Sequence, residues 1–301
     1  MELLTLCPIC KNTVFHEFLK SKDYFLTKEE FTIVQCQKCG LKFVNPRPDE
    51  IEISRYYESS DYISHDSQTP GIRNFLYSNV RNYTRRKKLQ LIEKYTRGKK
   101  ILDIGCGTGE FLSYCQQSGW EVKGVEPNPK AREYALRKYH VEVLDESQLS
   151  ALTNPFFDVI TLWHVLEHVH RLEERMQKIH QILNDDGTLI MAVPNSNSWD
   201  ACHYKNFWAA YDLPRHIYHF SQNTINHLAK NSGFEIKKIV PMKFDAFYIS
   251  LLSEKYSKGS SNYFMSLVNG IRSNNFARKN KNEYSSLIFI LKAKKPENKA
   301  F

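Results

Sequence analysis

Asp103-Ile104-Gly105-Cys106-Gly107-Thr108-Gly109 ends a short apolar run, Ile101 to Ile104, and Glu126 closes the next such run, Val122 to Val125, 21 residues after Gly105. Glycines there let the backbone approach a ligand with no Cβ in between. A carboxylate closing the second strand can accept hydrogen bonds from both ribose hydroxyls. The chemistry implied is nucleoside binding. The dinucleotide pattern G-x-G-x-x-G departs from this stretch, because its last glycine position is Glu110 and the third glycine comes one residue early. Asp103 is also foreign to that pattern and suits a ligand carrying an ammonium group. A dinucleotide enzyme is the alternative reading, and a degenerate core that binds nothing is the bland one.

A second group could move protons. Phe157 to Leu162 runs into Trp163-His164-Val165-Leu166-Glu167-His168, and in open α/β sheets ligands lie beyond the carboxyl ends of the strands. His164 and His168 are four apart, so on a helical turn they would share a face, from which either could take a proton from a substrate. The competing reading has Glu167 and His168 cap a helix and hold the loop. H-x-x-E-H also occurs in one class of zinc protease, but its place at the end of a strand in a nucleoside-binding sheet argues against that. A metal on His164, Glu167 or His168 is a further alternative. Downstream, Asn206 to Ser221 is dense in aromatics, histidine and arginine. Tyr211, Arg215 and His216 are its expected substrate-contacting residues, in an aromatic-walled pocket. The alternative is a packed crossover loop. Ser221 is expected to cap the next helix.

Cys7-Pro-Ile-Cys10 and Cys36-Gln-Lys-Cys39 are two C-x-x-C pairs separated by 25 residues. Cys7, Cys10, Cys36 and Cys39 offer the four thiolates that structural zinc prefers, with no coordination position left open. The gap exceeds the usual zinc spacing, which a long hairpin can absorb. Disulfides are disfavoured, because Met1 to Cys10 lacks the basic and apolar regions of a secretory signal. Cys106, Cys115 and Cys202 read as ordinary small buried residues.

These groups need elements to position them. Residues 1–48 are expected to form a zinc ribbon with strands at Phe31–Gln35 and Leu41–Val44. Asn45-Pro46-Arg47-Pro48 marks the boundary. Residues 49–98 read as a polar, helical linker or cap with a helix at Arg81–Tyr95. Residues 99–301 alternate strands (100–104, 121–125, 141–144, 157–163, 187–193, 235–240) with helices (109–118, 128–139, 170–183, 222–232). This predicts an α/β, mostly parallel, Rossmann-like sheet. The segment 195–221 is its substrate loop. The insertion 243–284, helical around Tyr263–Arg272, is a lid or a homodimer contact, and 285–293 is a last strand. The chain has 301 residues, 42% hydrophobic and 13% aromatic, enough for a sizeable core. No apolar run approaches the ~20 residues of a membrane span, and the expected location is cytoplasmic. The net charge of +9 allows an anionic partner, but its local groups, Arg85–Lys88 and Lys292–Lys295, read as solvated faces.

Acid-x-G-x-G-x-G followed by an acid closing the next strand resembles motifs I and II of class I S-adenosylmethionine-dependent methyltransferases. The pieces CPIC, CQKCG, NPRP, YY, LDIGCGTG, GVEP, WHVLEH, AVPN and YDLPRHIYHF, from residue 7 to about 220, are together similar to a bacterial group of these enzymes with an N-terminal four-cysteine knuckle region. The resemblance implies S-adenosylmethionine bound by Asp103, Gly105, Gly107 and Glu126, with Cys106, Pro127 and Trp163 alongside. It also implies a last strand antiparallel to the rest. It points to a small-molecule or glycan-precursor acceptor and does not choose among oxygen, nitrogen and carbon. Similar sugar C-methyltransferases carry a further C-terminal domain, which weighs against that role here. An RNA methyltransferase gripping RNA through the zinc ribbon is the rival, although the fourth strand lacks the N/D-P-P-Y/F string of adenine amino-methylators and no aromatic platform is evident. A non-catalytic binding module is the third reading.

Overall fold

The computed structural model describes residues 1–58 and 72–294; residues 59–71 of the expected linker, and Lys295 of the second basic group, lie outside them. At the N-terminus β1 (Phe15–Lys22), β2 (Glu30–Cys36) and β3 (Lys42–Val44) form an antiparallel meander. β1 was not among the expected strands. It lies at a sheet edge and most of its side chains meet solvent, so its sequence carries little apolar alternation. A 3-10 turn over Glu52–Tyr57 precedes helix α1 (Ile72–Tyr95), which begins ahead of the expected Arg81.

The α/β unit then runs β4 (Lys100–Ile104), α2 (Glu110–Gln117), β5 (Glu121–Val125), α3 (Pro129–Tyr139), β6 (Val143–Leu144), α4 (Glu146–Ala151), β7 (Phe157–Trp163), α5 (Leu172–Ile182) and β8 (Leu183–Pro194). It continues through α6 (Trp199–Tyr204), β9 (Tyr218–His219), α7 (Gln222–Asn231), β10 (Phe234–Pro241), α8 (Asp245–Lys258), α9 (Tyr263–Lys279) and β11 (Ser286–Ala293). Seven strands form one sheet in the order β10-β11-β8-β7-β4-β5-β6, parallel except for β11, which runs antiparallel to both β8 and β10. The expected Rossmann-like sheet with an antiparallel last strand is therefore present. Ile101, Leu102, Val159, Ile160, Leu162, Leu189, Ile190 and Met191 are fully buried, because a parallel sheet is covered on both faces and its strands are apolar throughout. Each such side chain contributes about 1.5–3 kcal/mol of burial.

Local signals start the helices. Asn128 accepts the N–H groups of Lys130 and Ala131 and Pro129 opens α3, while Ser221 and Thr224 form the capping box of α7. The insertion differs from expectation. It holds two helices, and the buried faces are small or polar: Ser250, Ser253 and Glu254 on α8, and Ser266, Asn269 and Ser273 on α9. That composition conceals α8 from an apolar periodicity. The substrate loop is also structured, and its β9 pairs antiparallel with β3 to complete a second sheet, β1-β2-β3-β9. The N-terminal meander is thus stitched to the α/β unit through the loop. Among the described residues no helix is long and apolar enough to cross a membrane.

Candidate active site

Asp103, Gly105, Gly107, Glu126 and Trp163 come together at the carboxyl edge of β4, β5 and β7. Asp103 is 3% exposed and accepts a hydrogen bond from Thr161 Oγ1. Burial pushes its carboxyl up to about 6, against the pull of Thr161 and Lys88. Gly105 has φ +73°, and a Cβ there would lie 2.4 Å from Val165 Cγ2. Gly107, at φ +55°, would meet nothing within 4 Å. One glycine therefore seats the loop on the β7 turn and the other leaves an open approach. Glu126 accepts the Gly107 N–H (3.0 Å) on one carboxylate oxygen and the Asn128 N–H (3.0 Å) on the other. Burial raises its pKa above the usual carboxylate value despite those bonds. Cys106 points its sulfur at Gly124, and the Pro127 carbonyl accepts from Arg132 (2.7 Å).

Trp163 packs on the edge of Phe111 with ring centroids 6.1 Å apart, and Lys88 Nζ from α1 lies 4.3 Å from the Trp163 ring centroid. Lys88 is thus not part of a solvated face. Burial lowers its pKa, against the charges of Asp103 and Asp245. Lys88 and Thr161 carried no signal in the sequence, since both lie outside the glycine motif.

The histidines sort differently from expectation. His164 leaves β7 with φ +57°, so it and His168 do not share one helical face. Its Nδ1 is 3.3 Å from Glu167 Oε1 and its Nε2 is 3.1 Å from Asp245 Oδ2. Burial works against its charge, but Asp245 and Glu167 outweigh it, and the imidazole is raised to about 10. His168 turns the other way. Its Nδ1 lies 3.0 Å from the Arg215 carbonyl and 2.9 Å from the Tyr57 hydroxyl. Burial and the neighbouring His216 lower it to about 4. His216 Nδ1 lies 2.8 Å from the Ala210 carbonyl, and the two rings stand edge to face, 4.6 Å apart. Glu167 does not cap α5; its side chain is 1% exposed and sits beneath these rings. Tyr57, Asp212 and Asp245 reach the site from elements distant in sequence.

Arg215 and Tyr211 lie in the interior. Arg215 is 2% exposed and donates to Asp23 (3.0 Å), Asp212 (2.7 Å) and the Tyr56 carbonyl (3.0 Å). Tyr211 packs edge-on against Trp208 and His219. At the other end of the chain, Cys7 and Cys39 sulfurs are 3.5 Å apart, as are those of Cys10 and Cys36, and all four lie within 4.8 Å of one another. Lys11 and Gly40 follow the two pairs in left-handed conformation, so both turns fold alike. A tetrahedral zinc with Zn–S of about 2.3 Å separates its sulfurs by about 3.8 Å, so this set fits such an ion.

A methyltransferase-domain family matches residues 77–239, over half of the chain. The chain belongs to this family. The enzyme is an S-adenosylmethionine-dependent methyltransferase, and its matched segment holds the glycine loop, Glu126 and the histidine turn. It is 29% identical over 162 residues to a ubiquinone biosynthesis O-methyltransferase of Azoarcus sp. (strain BH72), a match covering 49% of this chain and 69% of that protein. An uncharacterized methyltransferase of Alkaliphilus oremlandii (strain OhILAs) is 34% identical over 95 residues, 30% of this chain and 44% of the relative. The crystal structure of magnesium protoporphyrin IX methyltransferase from Synechocystis PCC 6803 with bound SAH shares the fold at a TM-score of 0.51 and 15% identity, covering 82% of this chain and all of that one.

Proposed function

We propose that this methyltransferase modifies a small-molecule or glycan-precursor acceptor, bound between the glycine loop and the 195–221 segment. The observation carrying this is the polar cluster of Tyr57, Glu167, His168 and His216, whose Glu167 is two residues after Val165, which packs on Gly105. S-adenosylmethionine supplies the methyl group on a sulfonium, for in-line displacement by the acceptor. Asp103 would face its ammonium and Glu126 its ribose hydroxyls, with Gly107 giving close backbone approach and Trp163 a wall. Most of the rate would come from holding the two reactants in line. His164, paired with two carboxylates, is a cation at neutral pH and is not our choice of base. His168 and His216 both donate Nδ1–H to backbone carbonyls, which leaves each Nε2 lone pair for the acceptor side. We assign Arg215 and Tyr211 to holding the 195–221 segment in place from the interior rather than to contact with the acceptor.

The four cysteines would hold a structural zinc that fixes the N-terminal turns against α7, where Asn231 and Asn223 donate to the carbonyls of Ile9 and Cys39. The O-methyltransferase activity named for the Azoarcus protein favours a hydroxyl acceptor. Incubation with methyl-labelled S-adenosylmethionine and fractionated native extract tests the reading. Label in a small-molecule or glycan fraction supports it. Label removed by ribonuclease favours the RNA enzyme instead.

A further inference from the structure

Glu167 is an anomaly. Its side chain is 1% exposed, yet neither carboxylate oxygen accepts a directed hydrogen bond. His164 Nδ1 stands 3.3 Å from Oε1, but the ring also meets Asp245 through Nε2 at 3.1 Å, and Oε2 has no hydrogen-bond partner. An unpaired buried carboxylate is costly, so such groups are paired or bind metal. Two imidazoles converge on the same carboxylate. A carbonyl can only accept, so the Arg215 carbonyl fixes the proton of His168 on Nδ1, and the Ala210 carbonyl does the same for His216. Each ring then offers a bare Nε2, and that of His216 lies 4.0 Å from Glu167 Oε1. Metal-ligating histidines show the same arrangement, with the far N–H donated to a carbonyl that orients the ring.

We propose that Glu167, His168 and His216 bind a divalent metal cation, distinct from the ion at the cysteines. One ligand atom from each lies within 4.8 Å of the others, so a single ion can reach all three with small side-chain adjustments. Two imidazoles and one carboxylate suit a first-row transition ion such as zinc, iron or manganese rather than calcium. Three protein ligands leave a position open. Resting on the acceptor reading above, that position would take a hydroxyl oxygen of the acceptor and lower its pKa so that the proton passes to water. The ion would then occupy the Nε2 lone pairs of His168 and His216, in place of direct proton removal by them. His164 would hold Glu167 in place from behind, and Tyr57 would steady the His168 ring.

Mn²⁺ is the probe, because it favours oxygen and imidazole ligands over the thiolates of Cys7, Cys10, Cys36 and Cys39. We expect purified protein to bind one Mn²⁺ per chain, read by loss of the free-ion electron paramagnetic resonance signal, with echo modulation from imidazole nitrogen. His216→Ala should lose that binding while its circular dichroism spectrum is unchanged. Mn²⁺ binding retained in a folded His216→Ala protein would overturn the proposal. So would wild-type binding without nitrogen modulation, or no binding at all, and neither of these depends on a variant folding. The readout needs no acceptor, so a failed search for the acceptor leaves it standing. Conversely, methyl transfer by a protein that binds no Mn²⁺ would refute the metal alone.

Discussion

Replacing Arg215 by methionine should unfold the protein more readily rather than change its substrate affinity. The guanidinium is 2% exposed, Asp23 is fully buried, and Asp212 keeps 30% exposure. Removing one partner of a buried ion pair costs about 3–5 kcal/mol. Here the lower end applies. Asp23 keeps the N–H bonds of Phe25, Leu26 and Thr27 at 2.9–3.0 Å, and Asp212 can turn to water. We expect a loss of about 3 kcal/mol for Arg215→Met, and about 4–5 kcal/mol for Asp23→Ala, which removes one of the arginine's two carboxylates and strands those three N–H groups. Urea titration followed by tryptophan fluorescence measures both. The pH dependence carries a sign. Burial tends to raise the Asp23 pKa, but Arg215 and the turn N–H groups outweigh it and hold it below the usual value. Its stabilisation is therefore present above about pH 4 and fades as pH falls through the folded-state value. Arg215→Met should show a shallower acid loss than wild type. A change under about 1 kcal/mol, together with a raised KM, would refute this reasoning and return Arg215 to the substrate.

Glu126→Ala should weaken S-adenosylmethionine binding about tenfold or more, since a charge-assisted hydrogen bond contributes ~1.5–3 kcal/mol; calorimetry showing unchanged affinity would reject the ribose assignment. Asp103, with its pKa raised to about 6, gives two opposite trends. Its contribution to the stability of the ligand-free protein should be fully present below about pH 4 and be lost as pH rises through 6, whereas cofactor affinity should fall as pH drops below 6; a flat affinity profile would remove Asp103 from the cofactor contact. Gly105→Ala places a methyl 2.4 Å from Val165 at φ +73° and should cost about 1–3 kcal/mol and abolish cofactor binding, tested by thermal melts with and without cofactor. If the proposed zinc sits at the four cysteines, Cys10→Ser should carry less zinc than wild type, read by a chromogenic chelator, and melt at a lower temperature; equal zinc in variant and wild type would refute the four-thiolate site.

The sequence by itself determined the sheet and the glycine loop. Both are written in local codes: apolar runs broken by glycines, Asn128 and Ser221 at helix starts, and carboxylates at strand ends. The pairing of Cys7–Cys10 with Cys36–Cys39 was legible for the same reason, because each turn is a short motif. Only the tertiary structure decided the roles of the charged and aromatic residues. Arg215 and His216 are adjacent, yet one is enclosed by Asp23 from the N-terminal meander and the other faces Glu167. Lys88 looked like one of a solvated cluster until α1 laid it over Trp163. His164 and His168 were four apart and expected together, but the left-handed turn at His164 sends one to Asp245 and the other to Tyr57 and the Arg215 carbonyl. A side chain's protonation and direction depend on neighbours that long-range packing supplies, and no local spacing encodes which distant segment will arrive.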